Sequence, residues 1–138
     1  MSQQLVDQLN SFTVDKHPGS VGITLDRCEA DIVTGGFVVS EPVVAGTGFL
    51  WAPVIITLAD WLCAAAMSAN LDENVSFATV ELKTNFLGSA TVGQRVSGIA
   101  TPKHKGRTTQ VWDVEVSNDD SGKVIALFRC TQMLLYPK

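Results

Sequence analysis

Between Gly46 and Asn70 the chain reads GTGFLWAPVIITLADWLCAAAMSAN, and Asp60 is its one charged residue. A lone carboxylate in apolar sequence is either a structural acid tied to a hydroxyl or backbone N–H, or a reactive group. The reactions open to it are acid–base and nucleophilic. Competing chemistries find little support. The two histidines, His17 and His104, form no HExxH or His–Cys cluster, so a zinc site is not expected. PGSVG around Ser20 imitates a nucleophile elbow but lacks its first glycine and precedes the first strand. Gly46-Thr47-Gly48 lacks the third glycine of a dinucleotide loop. Cys28, Cys63 and Cys130 are odd in number and widely spaced in apolar sequence, which reads as buried, reduced thiols. One further cluster stands out: KHKGR, Lys103 to Arg107, puts three cations within five residues, either a solvated turn or an anion site.

The apolar run is long enough to cross a bilayer, but an acid at its centre costs roughly 2.5 to 3.5 kcal/mol on insertion scales. Pro53 and the glycines interrupt it, and no Lys or Arg flanks it. A buried helix in a protein with no membrane partner is expected. With 138 residues, 46% of them hydrophobic, one compact domain spanning 1–138 is expected. The start, MSQQLVDQLN, has neither the basic nor the apolar region of a secretory signal, so a cytoplasmic protein is expected. A net charge of -4 argues against a nucleic-acid partner, which usually calls for a basic face.

Leu5, Val6 and Leu9 make a helical stripe that ends before His17-Pro18-Gly19, a lead-in over 1–18. Val21, Ile23 and Leu25 alternate, and Thr34-Gly35-Gly36 breaks before Phe37-Val38-Val39, suggesting two strands bent by a glycine bulge. Pro53 suits a first helical turn, and the run to Ala69 is apolar all round, so the helix should be wrapped by other elements. The period then changes, with Ala78, Val80, Leu82 and Phe86 on one face and Thr79, Glu81, Lys83 and Asn85 on the other. Further strands are expected near Val92–Pro102, Arg107–Ser117 and Lys123–Tyr136, with turns at His104-Lys105-Gly106 and Asn118 to Gly122. VIALF in the last of them should lie centrally in the sheet. The class is α+β, with a curved antiparallel sheet of about six strands around one long helix.

At this point the motif GFLWAP-x(4)-LAD, the strand ATVELKTNFLGSA and the segment PKHKGRTTQVWDVEV, in this order, resemble the hot-dog-fold acyl-CoA thioesterases. The resemblance is closest to the PaaI-like and 4-hydroxybenzoyl-CoA types and covers about Gly22 to Leu135. It implies a thioester hydrolase in which Asp60 is nucleophile or general base. The oxyanion donor would be the Ala52 backbone N–H at the helix start, where the macrodipole helps. Thr79 matches the hydroxyl that related enzymes place near the carboxylate. The family's loop amide has no counterpart here except Thr47. Where the family opens its helix with His-Gly-Gly, this chain has Trp51-Ala52-Pro53. Hot-dog dehydratases need a histidine near the helix, and neither His17 nor His104 is close in sequence.

The resemblance also gives KHKGR a role: Lys103, Lys105 and Arg107, with Gly106 and Thr108 in the same turn, could meet the phosphates of coenzyme A. No cofactor is implied beyond CoA as part of the substrate. Phe49, Trp51, Trp61 and Met67 could line the acyl pocket, or equally be core or subunit contacts. A homodimer is implied, often doubled to a homotetramer. The alternative is a non-catalytic acyl-CoA-binding protein that kept the fold and lost turnover.

Overall fold

The computed structural model describes residues 2–138. Helix α1 (Ser2–Thr13) and a single turn α2 (His17–Ser20) lead into β1 (Thr24–Glu29) and β2 (Ile32–Val38). After a 3-10 turn at Glu41–Val43 comes α3 (Ala52–Asn70), then β3 (Ser76–Phe86), β4 (Arg95–Lys105), β5 (Thr109–Asn118) and β6 (Lys123–Leu135). All six strands form one antiparallel sheet in the order β1-β2-β4-β5-β6-β3. α3 packs on one face of it, as the α+β reading expects.

The core is the contact between α3 and that inner face. Leu58, Ala59, Leu62, Cys63, Ala65 and Ala66 of α3 are fully buried against Val33, Val96, Trp112, Val114, Val116, Phe128 and Cys130. Gly35 and Gly98 are cross-strand partners, and both lie under Leu62. A Cβ would sit 2.8 Å from Leu62 Cδ1 at Gly98 and 3.2 Å from Leu62 Cδ2 at Gly35. The two glycines therefore make the groove into which the helix settles. α3 is long and apolar enough to cross a membrane, but these contacts make it the core helix of the fold.

Three expectations change. Thr34-Gly35-Gly36 does not interrupt the first pair of strands: β2 runs straight through it, and the turn lies at Ala30-Asp31. The irregularity is on β1, between Leu25 and Arg27. Next, α3 is not wrapped on all sides, because Ile56, Thr57, Asp60, Trp61 and Ala64 form a stripe only partly buried. On β3, pairing with β6 shifts between Thr79 and Glu81. Phe77, Thr79, Leu82 and Thr84 thus stand opposite Leu134, Gln132, Cys130 and Phe128, all inner-face residues. The one-residue bulge at Val80 turns Thr79 toward the helix, the reverse of the simple alternation. VIALF is interior, with β5 and β3 on its two sides, though Leu127 faces outward.

Candidate active site

The open stripe of α3 sets the surroundings of Asp60. At i, i+3, i+4 and i+7 spacing, Thr57, Asp60, Trp61 and Ala64 fall on one helix face. With Ile56, and with His17 and Pro18 from α2, they line a cavity of about 270 Å³. Asp60 Oδ1 accepts a hydrogen bond from Thr79 Oγ1 at 3.0 Å, so β3 delivers the predicted hydroxyl to the predicted carboxylate. Burial pushes the Asp60 carboxyl above its ordinary range, and the Thr79 hydrogen bond opposes that only in part. A carboxylate so placed holds its proton more readily than an exposed one and, when ionised, can act as base or nucleophile.

Ala52 is the first residue of α3, where a backbone N–H has no intrahelical acceptor. Trp51, the N-cap, supplies no side-chain hydrogen bond, and Pro53 has no N–H. The Ala52 donor therefore stands at the positive end of a 19-residue helix with no side-chain competitor from the cap.

The remaining candidates are more scattered. Trp61 borders the Asp60 cavity, and its Nε1 is buried without an acceptor among the described residues. Phe49 and Trp51 are exposed at the start of α3. Met67 is fully buried and faces a separate cleft between α1 and the segment leading into β3. Thr47 is exposed in its loop, where its hydroxyl accepts from the Phe49 N–H at 3.5 Å, a long contact. None of its described contacts reaches Asp60.

The basic segment forms the end of β4 and its turn into β5. Gly106 donates its N–H to Thr109 O at 2.8 Å, and a Cβ there would come within 2.5 Å of His104 Nε2. Lys103 borders a groove of about 350 Å³ on the outer sheet face with Asp113 and Glu115. Lys105 is engaged with Asp31 at 2.5 Å and with Ala30 O at 2.9 Å, its ammonium 5.8 Å from the Trp112 ring. Arg107 and Thr108 are exposed in the turn. The three cations therefore do not share one face within the chain. They do lie at the same end of the sheet as the carboxylate. Lys105, Gln110, Gln132 and Thr79 are successive partners across β4, β5, β6 and β3, three strand spacings or ~14 Å end to end.

Two residues near Asp60 were not singled out from sequence. His17 Nε2 is 3.1 Å from Thr57 Oγ1, one helical turn from Asp60, so an imidazole does border the site. Forty residues separate the two in sequence, and only α2 packing on α3 joins them. The second is Gln132, a buried amide on β6 whose Oε1 is 3.1 Å from Thr79 Oγ1. A glutamine opposite a threonine inside an apolar strand carries no periodic signal.

Thiol chemistry is disfavoured on physical grounds. All three cysteines are buried, and burial holds the Cys28 thiol up at about 11. Cys63 is also pushed well up, by a hydrogen bond with Cys130 and then by burial. Among the described residues no cluster of His, Cys, Asp or Glu could hold a metal ion.

Comparison with known proteins identifies the family. Residues 47–125 match the family model described as the thioesterase superfamily. A putative esterase from Deinococcus radiodurans is 32% identical over 108 residues, covering 78% of this chain and 71% of its own. A 1,4-dihydroxy-2-naphthoyl-CoA hydrolase from Listeria monocytogenes is 26% identical, covering 81% of this chain and 89% of its own. In three dimensions, a mutant thioesterase from Pseudomonas aeruginosa superposes with a TM-score of 0.88 at 28% identity, covering 94% of this chain and 93% of the other. The family match takes in the end of the loop before α3, all of α3 with Asp60, strands β3, β4 and β5 and the start of β6, and on that ground the chain belongs to the thioesterase superfamily and is a thioester hydrolase.

Proposed function

We propose that the protein hydrolyses an acyl- or aroyl-CoA to the free acid and CoA, with Asp60 as general base or nucleophile and the Ala52 N–H as oxyanion donor. The observation that carries this reading is the pairing of a partly buried Asp60 carboxylate, which borders a cavity, with the Thr79 hydroxyl. Either route balances. As base, Asp60 takes a proton from water, the hydroxide oxygen adds to the carbonyl carbon, and the tetrahedral oxyanion collapses to expel CoA thiolate, which is then protonated. As nucleophile, Asp60 forms a mixed anhydride with loss of thiolate, and water cleaves that anhydride. The aroyl class is favoured by the Listeria relative's named substrate together with the Trp61 wall of the cavity. Product analysis tests the proposal: an acyl-CoA incubated with the protein should yield equimolar acid and CoA. A stable complex with the thioester intact would establish the binding-protein reading instead.

A homodimer belongs to this proposal. Ala52 and Asp60 are eight residues apart on one helix, ~12 Å along its axis. A single thioester that must meet a donor at ~3 Å on its oxygen and a nucleophile at ~3.5 Å on its carbon spans less than ~8 Å, and a water held between the carbon and a general base extends that only to ~11 Å. Two antiparallel copies of α3 would bring Ala52 of one chain toward Asp60 of the other and cover the half-exposed stripe. Val80, Leu82, Phe86 and Leu87 on and beside the edge strand β3 are exposed apolar surface consistent with such a contact.

The basic turn makes a separate prediction. Replacing Lys103 and Arg107, which form no ion pair among the described residues, should raise KM for CoA thioesters by roughly tenfold and leave kcat nearly unchanged, since they would hold a remote part of the substrate. N-acetylcysteamine thioesters lack the phosphates and should be unaffected. Equal losses on both substrates would remove the turn from the binding site.

A further inference from the structure

Thr79 has one hydroxyl proton and two close neighbours, Asp60 Oδ1 at 3.0 Å and Gln132 Oε1 at 3.1 Å. With Asp60 ionised both are acceptors, so one contact would set oxygen lone pairs against each other. Turning the Gln132 amide over removes the conflict. Nε2–H then donates to Thr79 Oγ1, Thr79 O–H donates to Asp60, and Oε1 faces the Cys130 sulfur, 3.7 Å from the amide, whose S–H donates to it. Each contact in the row Cys130, Gln132, Thr79, Asp60 then pairs one donor with one acceptor. The opposite amide orientation suits a protonated Asp60, which would donate to Thr79 and leave the hydroxyl to donate to Gln132.

We infer that Gln132 is a positioning residue for the hydrolysis proposed above, holding the Thr79 proton on the Asp60 carboxylate in its working state. The claim rests on that reading of Asp60. Gln132 is fully buried and fixed by the register of β6 between β5 and β3, so its amide is a rigid second support behind the hydroxyl. Bonds in such a row polarise one another, and losing the rear one weakens the front one. The other titratable groups around Asp60 are His17 across the cavity from α2, Cys63 on its own helix and Cys130 on β6, with Asp113 of β5 acting on Cys63. Glu81 and Lys83 of β3 are exposed, opposite outer-face residues.

The test is a double-mutant cycle with Gln132→Met and Thr79→Val, read as kcat, KM and the acid limb of the pH–rate profile. Alone, Gln132→Met should lower kcat by about threefold or more, leave KM unchanged and move the acid limb to higher pH. In the Thr79→Val background it should change neither. Equal effects in both backgrounds, or lowered thermal stability with an unmoved limb, would overturn the proposal. If Gln132→Met does not fold, the side-chain amide resonances of the otherwise intact protein decide. Thr79→Val should shift the Gln132 NH2 signals and speed their exchange, and an unchanged Gln132 amide would overturn the proposal. Asp60→Asn, measured alongside, separates the two claims. If it turns over at the wild-type rate, the reading of Asp60 itself fails, whereas an inactive Asp60→Asn without Thr79–Gln132 coupling removes only Gln132.

Discussion

Ala52→Pro is expected to reduce thioester hydrolysis by about a hundredfold to a thousandfold while leaving the fold in place, the loss typical of one oxyanion donor. The substitution deletes a single N–H. Proline is tolerated at the first helical position, and Trp51 before it already has φ -66 and ψ 123, the extended conformation that a residue preceding proline prefers. Mixing this variant with Asp60→Asn then tests the two-chain site. If the donor and the carboxylate acting on one thioester come from different copies, random reassembly makes half the dimers mixed. Each mixed dimer carries one intact site of two, so about a quarter of wild-type activity should return. If both groups come from one chain, the mixture stays inactive.

Asp60→Asn should lower kcat by at least roughly a hundredfold, because the amide can neither take a proton nor attack the acyl carbon. It should also make the protein more stable at neutral pH. The folded chain binds the Asp60 proton more tightly than the unfolded chain does, since burial disfavours the charge. Ionising Asp60 therefore costs stability as pH rises from the ordinary carboxylate range through the raised folded value. The Asn variant escapes that cost and its amide can still meet Thr79. Its melting temperature should exceed wild type at pH 7, with the gap closing below the ordinary carboxylate range. A variant less stable than wild type at pH 7 would mean that Asp60 is a structural acid.

How much of this was legible in the sequence follows from what each signal depends on. The α3 run with its single acid, the alternation along the last strands and the Gly122 turn are local patterns, and the structure has them within a few residues of expectation. Thr79 was found through its motif, but simple alternation put it on the wrong face, because the bulge at Val80 exists only in the pairing with β6. Gly35 and Gly36 read as a break, because tolerance of a close approach from Leu62 and Val96 looks in sequence like freedom to turn. His17 and Gln132 were missed for one reason. Each reaches the candidate site through a contact across forty or more residues, His17 to Thr57 and Gln132 to Thr79, and neither carries a pattern of its own.

The most direct measurement is the initial rate of CoA release from a panel of acyl- and aroyl-CoA thioesters by wild-type protein and Asp60→Asn in parallel. The account predicts saturable release by the wild type from at least one aroyl or acyl class, and loss of at least roughly a hundredfold in kcat in the variant with binding of the same thioester retained. Tight binding with no release by the wild type across the panel, or equal release by both proteins, would contradict it.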